Sequence, residues 1–205
     1  PSTGDDGFSV MDYRAVDPRL GSWGDLTNMS SSRKIMADVI LNHGSRSSAW
    51  FRQFVDGEAP GNGYFLSVDD DFDVSHVIRP REHALLQPVT TVGGEKKVWC
   101  TFSEDQVDFD FSNPLLLEEF IGIILDFIDH GVRILRLDAV GFLWKETGTT
   151  CLNLHQTHAI IQLIRYIADI YDDETVIVTE TNLPNHENLS YFGNGNEAHW
   201  IYNFS

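Results

Sequence analysis

Lysine is scarce in this sequence: four in 205 residues, against twenty aspartates, so that 14 basic face 31 acidic side chains and the formal net charge is −17. Such a chain repels DNA, RNA and anionic membrane surfaces, so no nucleic-acid or membrane partner is expected. An anionic small molecule would need local arginines or backbone donors. Cysteine is scarce too. Cys100 and Cys151 stand in neither CxxC nor metal-ligand spacing, which argues against a disulfide framework and suggests reduced thiols in a cytoplasmic compartment. No apolar run approaches the roughly 18 to 20 residues that span a bilayer. Pro1-Ser2-Thr3-Gly4-Asp5-Asp6 has neither the basic nor the apolar region of an export signal. Internal repeats and low-complexity tracts are missing, as are GxGxxG and GxxxxGK[ST], so no strand is followed by a nucleotide-phosphate loop. Asp69, Asp71 and Asp73 imitate the start of a calcium loop, but Val74 and Pro80 stand where glycine and glutamate are needed, and no metal is expected.

What is present is a globular composition, 42% hydrophobic and 22% charged. The chain begins at Pro1 without Met and stops at Ser205 directly after the strand-like run Trp200–Phe204, so a piece of a longer protein is expected. Residues 1–34 are turn-rich. Met36–Asn42 is a short apolar run typical of a buried parallel strand. From Gly44 to Phe111 periodicity weakens, and a stretch that long reads as an inserted subdomain with small β elements of its own. Asn113-Pro114 then opens a helix with Leu117, Phe120, Ile121, Ile124 and Ile128 on one face and Gly131 at its end. Val132–Asp138 reads as a strand, Thr157–Tyr171 as a helix and Thr175–Glu180 as another strand. This alternation calls for an α/β fold with a parallel sheet, either doubly wound or part of a (β/α)8 barrel, and the missing phosphate loops favour the barrel.

Both architectures place their sites at the C-terminal ends of the strands. Those ends carry Asn42-His43, Arg136-Leu137-Asp138 and Glu180-Thr181-Asn182. Two carboxylates from neighbouring strands, with Arg136 on the same pleat face as Asp138, suit glycosidic chemistry, in which one attacks carbon and the other shuttles a proton. Taken alone, Asp138 has a lesser alternative as the cap of the following helix, and His43 reads first as a hydrogen-bonded loop histidine.

Asp38-Val39-Ile40-Leu41-Asn42-His43, Arg133–Val140 and Val178-Thr179-Glu180-Thr181-Asn182 resemble three ordered motifs of the α-amylase family, glycoside hydrolase family 13. More narrowly, Gly4–Tyr13, Val98–Ser103, Gln106-Val107-Asp108 and Trp144–Cys151 resemble its sucrose phosphorylase branch, which includes sucrose 6-phosphate and glucosylglycerate phosphorylases. The resemblance implies a partial TIM barrel: residues 1–43 from the loop after the second strand to the end of the third, residues 44–111 as a domain B inserted there, and residues 112–205 from the fourth strand to about the sixth.

Residue by residue, the resemblance implies Asp138 as nucleophile and Glu180 as general acid/base. Arg136 would hold Asp138 ionised, and His43 would bond a glucose hydroxyl. Phe8 and Phe102 would wall the glucosyl ring, and Asp5 would bind hydroxyls on its far side. Arg79 and Arg81 are candidates for a phosphate or acceptor loop. The implied reaction is a double displacement with retention, phosphorolysing sucrose or a related α-glucoside to α-glucose 1-phosphate. Phosphate is then a co-substrate, and no metal or organic cofactor is needed. A retaining pair implies carboxyl groups about 5 to 5.5 Å apart. An α-glucoside hydrolase using water is the alternative, and a non-catalytic sugar-binding protein a remote one. The family's fourth motif, with its transition-state Asp, belongs past Ser205, so the 205-residue chain alone is expected to be nearly inactive. Neither the leaving group nor the oligomeric state is legible.

Overall fold

The computed structural model describes residues 1–203. Its helices are α1 (Trp23–Ser30), α2 (Ala49–Asp56), α3 (Pro114–Asp129), α4 (His155–Tyr171) and α5 (Asn185–Leu189). Its strands are β1 (Ile35–Ile40), β2 (His43–Ser45), β3 (Ser67–Val68), β4 (Leu86–Thr91), β5 (Gly94–Trp99), β6 (Gln106–Asp108), β7 (Val132–Asp138), β8 (Val176–Thr179) and β9 (Trp200–Ile201). Phe204, the last residue of the strand expected there, lies outside the described residues, as does Ser205. The chain forms two compact units. One comprises Pro1–Tyr13, Asn42–Leu117 and Phe142–Leu152; the other comprises Arg14–Leu41, Glu118–Gly141 and the chain from Asn153 onward.

The second unit contains a four-stranded sheet of order β1-β7-β8-β9, parallel throughout. Its strands lie side by side in chain order with no reversal, and α3 and α4 fill two of the crossovers. A doubly wound sheet reverses its order at a switch point, so this is the winding of a partial (β/α)8 barrel. The strands are short and rich in Val, Ile and Leu because helices cover them: Val39, Leu135, Leu137 and Ile177 have no exposed surface. Phe120, Ile123, Ile124 and Ile128 of α3 and Ile160, Ile161, Ile164 and Ala168 of α4 are buried at helical spacing. Fully burying such a side chain contributes about 1.5–3 kcal/mol. Gly131, at φ +90, turns the chain after α3 where a β-carbon would collide with Ser30.

One helix was not expected in the turn-rich opening. α1 forms because Ser22 and Asp25 make a capping box: the Ser22 hydroxyl accepts from the Asp25 N–H at 3.3 Å, and the Asp25 carboxylate accepts from the Ser22 N–H at 2.8 Å. Two satisfied N-terminal donors outweigh the helix penalty of Gly24.

The first unit is built differently. β2 pairs antiparallel with β6, and β3, β5 and β4 form a small antiparallel sheet. Its apolar centre is aromatic. Phe65 packs at 5.0 Å against Phe109, edge-on to Phe51 at 5.2 Å and against Phe54 at 5.9 Å. A second cluster gathers Val68, Leu85, Trp99 and Cys151, with Phe72 packed against it. Among the described residues no helix is long and apolar enough to cross a membrane.

Candidate active site

In the second unit β7 brings Arg136 and Asp138 to one face, two residues apart, while Leu135 and Leu137 enter the core. Arg136 Nη1 donates to Asp138 Oδ1 at 3.1 Å and to Asp38 Oδ1 at 2.5 Å, Asp38 being its register partner on β1. Glu180 follows β8 directly, and its N–H donates to the Leu137 carbonyl at 3.0 Å, extending the ladder to the level of Asp138. Its Oε2 accepts the Ala139 N–H at 3.1 Å. Ala139 stands at φ +56, a left-handed conformation that L-residues rarely adopt. The strained residue beside Asp138 therefore gives its amide to Glu180.

Burial pushes the Asp138 carboxyl up to about 7, and the negative charge of Glu180 adds to the rise; Arg136 opposes it. The expectation that Arg136 holds Asp138 ionised is corrected on this point. Desolvation and a second carboxylate outweigh an arginine that Asp38 also engages. Two carboxyl groups on neighbouring strand ends, one poised near neutrality, can divide nucleophilic attack and proton transfer between them.

The first unit gathers the other candidates. His43 is buried, its Nε2 lies 3.2 Å from the Phe8 carbonyl and its Nδ1 3.4 Å from Asn42 Nδ2. Because the carbonyl only accepts and the amide nitrogen only donates, the ring carries its proton on Nε2. Burial lowers its pKa to about 4, so the ring is neutral at pH 7. Phe102 tilts against His43 at 5.2 Å and stands edge-on to Phe142 at 5.3 Å. Asp5 accepts from Gln106 Nε2 at 2.8 Å. Arg79 and Arg81 are exposed and donate to nearby carbonyls, Arg79 to His83 and Arg81 to Pro80 at 3.2 Å.

The structure adds a buried ion pair. Lys145 Nζ meets Asp108 Oδ2 at 2.6 Å, their side chains 3% and 0% exposed, and Lys145 also donates to Asn42 Oδ1 at 2.9 Å. Asp108 Oδ2 further accepts from Asn42 Nδ2 at 2.8 Å and from the Thr101 hydroxyl at 2.6 Å. Asp108 Oδ1 accepts the Thr101 N–H at 2.9 Å, so both oxygens of the buried carboxylate are engaged, as a buried charge requires. The sequence signal was the lysine itself, one of four, set after the apolar run Phe142-Leu143-Trp144. Asp38 was also missed as a second anchor of Arg136, because its register partner is visible only in the sheet. Among the described residues no group of three or more His, Cys, Asp or Glu is arranged to hold a metal ion.

Residues 2–205 match the catalytic domain of α-amylase. The chain is 47% identical over 205 residues to a glucosylglycerate phosphorylase of Allomeiothermus silvanus, covering all of this chain and 37% of that protein. It is 35% identical over 171 residues to a sucrose phosphorylase of Agrobacterium vitis, covering 77% of this chain and 34% of that protein. The crystal structure of sucrose 6F-phosphate phosphorylase from Thermoanaerobacter thermosaccharolyticum superposes with a TM-score of 0.88 at 26% identity, covering all of this chain and 44% of that one. The chain thus spans little more than a third of the length of these curated relatives.

Proposed function

The chain belongs to the α-amylase family, and from that premise we propose that the full-length protein is a retaining α-glucosyl phosphorylase that converts an α-glucoside and phosphate to α-glucose 1-phosphate. The observation that carries the reading is the Asp138–Glu180 pair at adjacent parallel strand ends, tied together through the Ala139 amide. Its likeness to phosphorylases supports phosphate rather than water as acceptor, and 47% identity to a glucosylglycerate phosphorylase supports glucosylglycerate as the first donor to try.

In this reading Asp138, as carboxylate, attacks the anomeric carbon while Glu180 protonates the departing oxygen. A β-glucosyl ester forms on Asp138, and the alcohol leaves with the proton of Glu180. A phosphate oxygen then attacks the same carbon from the vacated face with Glu180 as base. The ester bond breaks, Asp138 returns as carboxylate and the product has the α-configuration of the donor. The reaction so written draws on no metal or organic cofactor. The family resemblance assigns His43 to a glucosyl hydroxyl, Phe8 and Phe102 to the walls of the ring, and Asp5, held by Gln106, to the hydroxyls beyond it. Arg79 and Arg81 supply the exposed positive charge that draws phosphate toward an acidic protein. The free, buried thiols of Cys100 and Cys151 support a cytoplasmic setting.

The test is a product assay on the full-length protein with glucosylglycerate, sucrose and sucrose 6-phosphate, each with and without phosphate. Phosphate-dependent release of α-glucose 1-phosphate supports the proposal. Free glucose as the sole sugar product in phosphate buffer would make the protein a hydrolase, and no turnover of any donor would refute the reading.

A further inference from the structure

We propose that Tyr202 is a positioning residue for the nucleophile: its ring roofs the Arg136 guanidinium and keeps that arginine on Asp138. The inference rests on Asp138 as the attacking group, as set out above. The guanidinium carbon lies 5.3 Å from the centroid of the Tyr202 ring, within the range where the negative face of an aromatic ring attracts a cation.

Arg136 needs such a restraint because its Nη1 is shared between two carboxylates of unequal exposure. The Asp138 side chain is 11% exposed and the Asp38 side chain 45%. Asp38 is the better solvated partner and makes the shorter contact, 2.5 Å against 3.1 Å. Unrestrained, the arginine would lose little by turning wholly to Asp38 and taking water in place of Asp138. A ring across its face blocks that movement and excludes the water that would replace the lost bond.

Tyr202 is itself fixed from the other carboxylate's strand. Its N–H donates to the Thr179 carbonyl at 2.8 Å, and its carbonyl accepts from Asn188 Nδ2 at 3.0 Å. Asn188 is buried, and its Oδ1 accepts the Thr181 hydroxyl at 2.7 Å. Thr179 and Thr181 flank Glu180. Tyr202 therefore takes its backbone position from the segment that carries the acid/base and applies its ring to the arginine that orients the nucleophile. A small displacement of either carboxyl is passed to the support of the other, which suits a reaction in which both act in one step.

The experiment compares Tyr202→Phe, Tyr202→Leu and Tyr202→Met with the wild type in the full-length protein, reading kcat, KM and melting temperature with the best of the three donors. Phe keeps the ring, whereas Leu and Met keep apolar bulk without a π-face. The expected result is a kcat near wild type for Phe and a loss of about tenfold for both Leu and Met, with KM changed by less than about twofold. Melting temperatures should be alike if the ring acts by orienting Arg136 alone. If one ring-free variant does not fold, the other carries the comparison. Equal activity of Phe, Leu and Met would overturn the proposal while leaving the phosphorylase reading intact. So would a Phe variant as impaired as the ring-free ones, which would assign the effect to the hydroxyl. A wild-type protein that turns over no α-glucoside would remove both.

Discussion

Glu180 Oε2 holds the amide of Ala139 at 3.1 Å, one residue beyond Asp138. This bond ties the Glu180 carboxylate to the residue that follows Asp138. It accounts for the left-handed backbone at Ala139, which aims the N–H across to the next strand at some conformational cost. It also explains why Asp138 feels a second negative charge that adds to the effect of burial.

The pH dependence follows from that environment. The proposed reaction needs one proton shared by the two carboxyls, on Glu180 while Asp138 attacks; the value near 7 marks loss of that last proton, so kcat/KM of the full-length protein should fall by up to roughly tenfold per pH unit above neutrality. A rate profile on a neutral donor measures this directly. A rate that does not fall between pH 7 and pH 9 would contradict this account of the pair.

Stability depends on the same carboxyl. A carboxyl whose pKa is raised on folding binds its proton more tightly in the folded state. Its contribution is fully present below the unfolded value, about 4, and is lost as pH rises toward 7, at up to roughly 1.4 kcal/mol per unit. Asp138→Asn removes the ionisable group and should raise the melting temperature at pH 8 while abolishing turnover. Denaturation curves at pH 5 and pH 8 check this: the stabilisation by Asn should be larger at pH 8.

The buried Lys145–Asp108 pair gives a third prediction. Lys145→Met leaves the Asp108 carboxylate without its cation and should destabilise the protein by about 3–5 kcal/mol, whereas Lys145→Met combined with Asp108→Leu should recover part of the loss. Urea unfolding of both variants checks it. A single variant as stable as wild type would mean that the pair contributes nothing to folding.

The barrel strands, α3 and α4 were legible because their apolar periods and caps are local, as at Asn113-Pro114 and Gly131. The placement of Asp138 and Glu180 at neighbouring strand ends was legible because both follow short apolar runs of a parallel sheet. α1 was overlooked because Gly24 and the serines masked a Ser22–Asp25 box whose acid is Asp rather than Glu. Partners such as Asp38 for Arg136, Lys145 for Asp108 and Tyr202 for Arg136 are 98, 37 and 66 residues apart and carry no spacing signal. The net effect on Asp138 was misjudged for a related reason: the Arg136 beside it is visible in the sequence, whereas the depth of burial that opposes it is a property of the packed sheet.

Trapping the covalent intermediate tests the central assignment most directly. Glu180→Gln full-length protein, given an α-glucosyl donor whose leaving group needs no protonation and no phosphate to release the ester, should accumulate a hexosyl adduct. Digestion and mass spectrometry should place that adduct on Asp138. A hexosyl group on any other residue, or steady turnover of this variant with no adduct, would contradict the account.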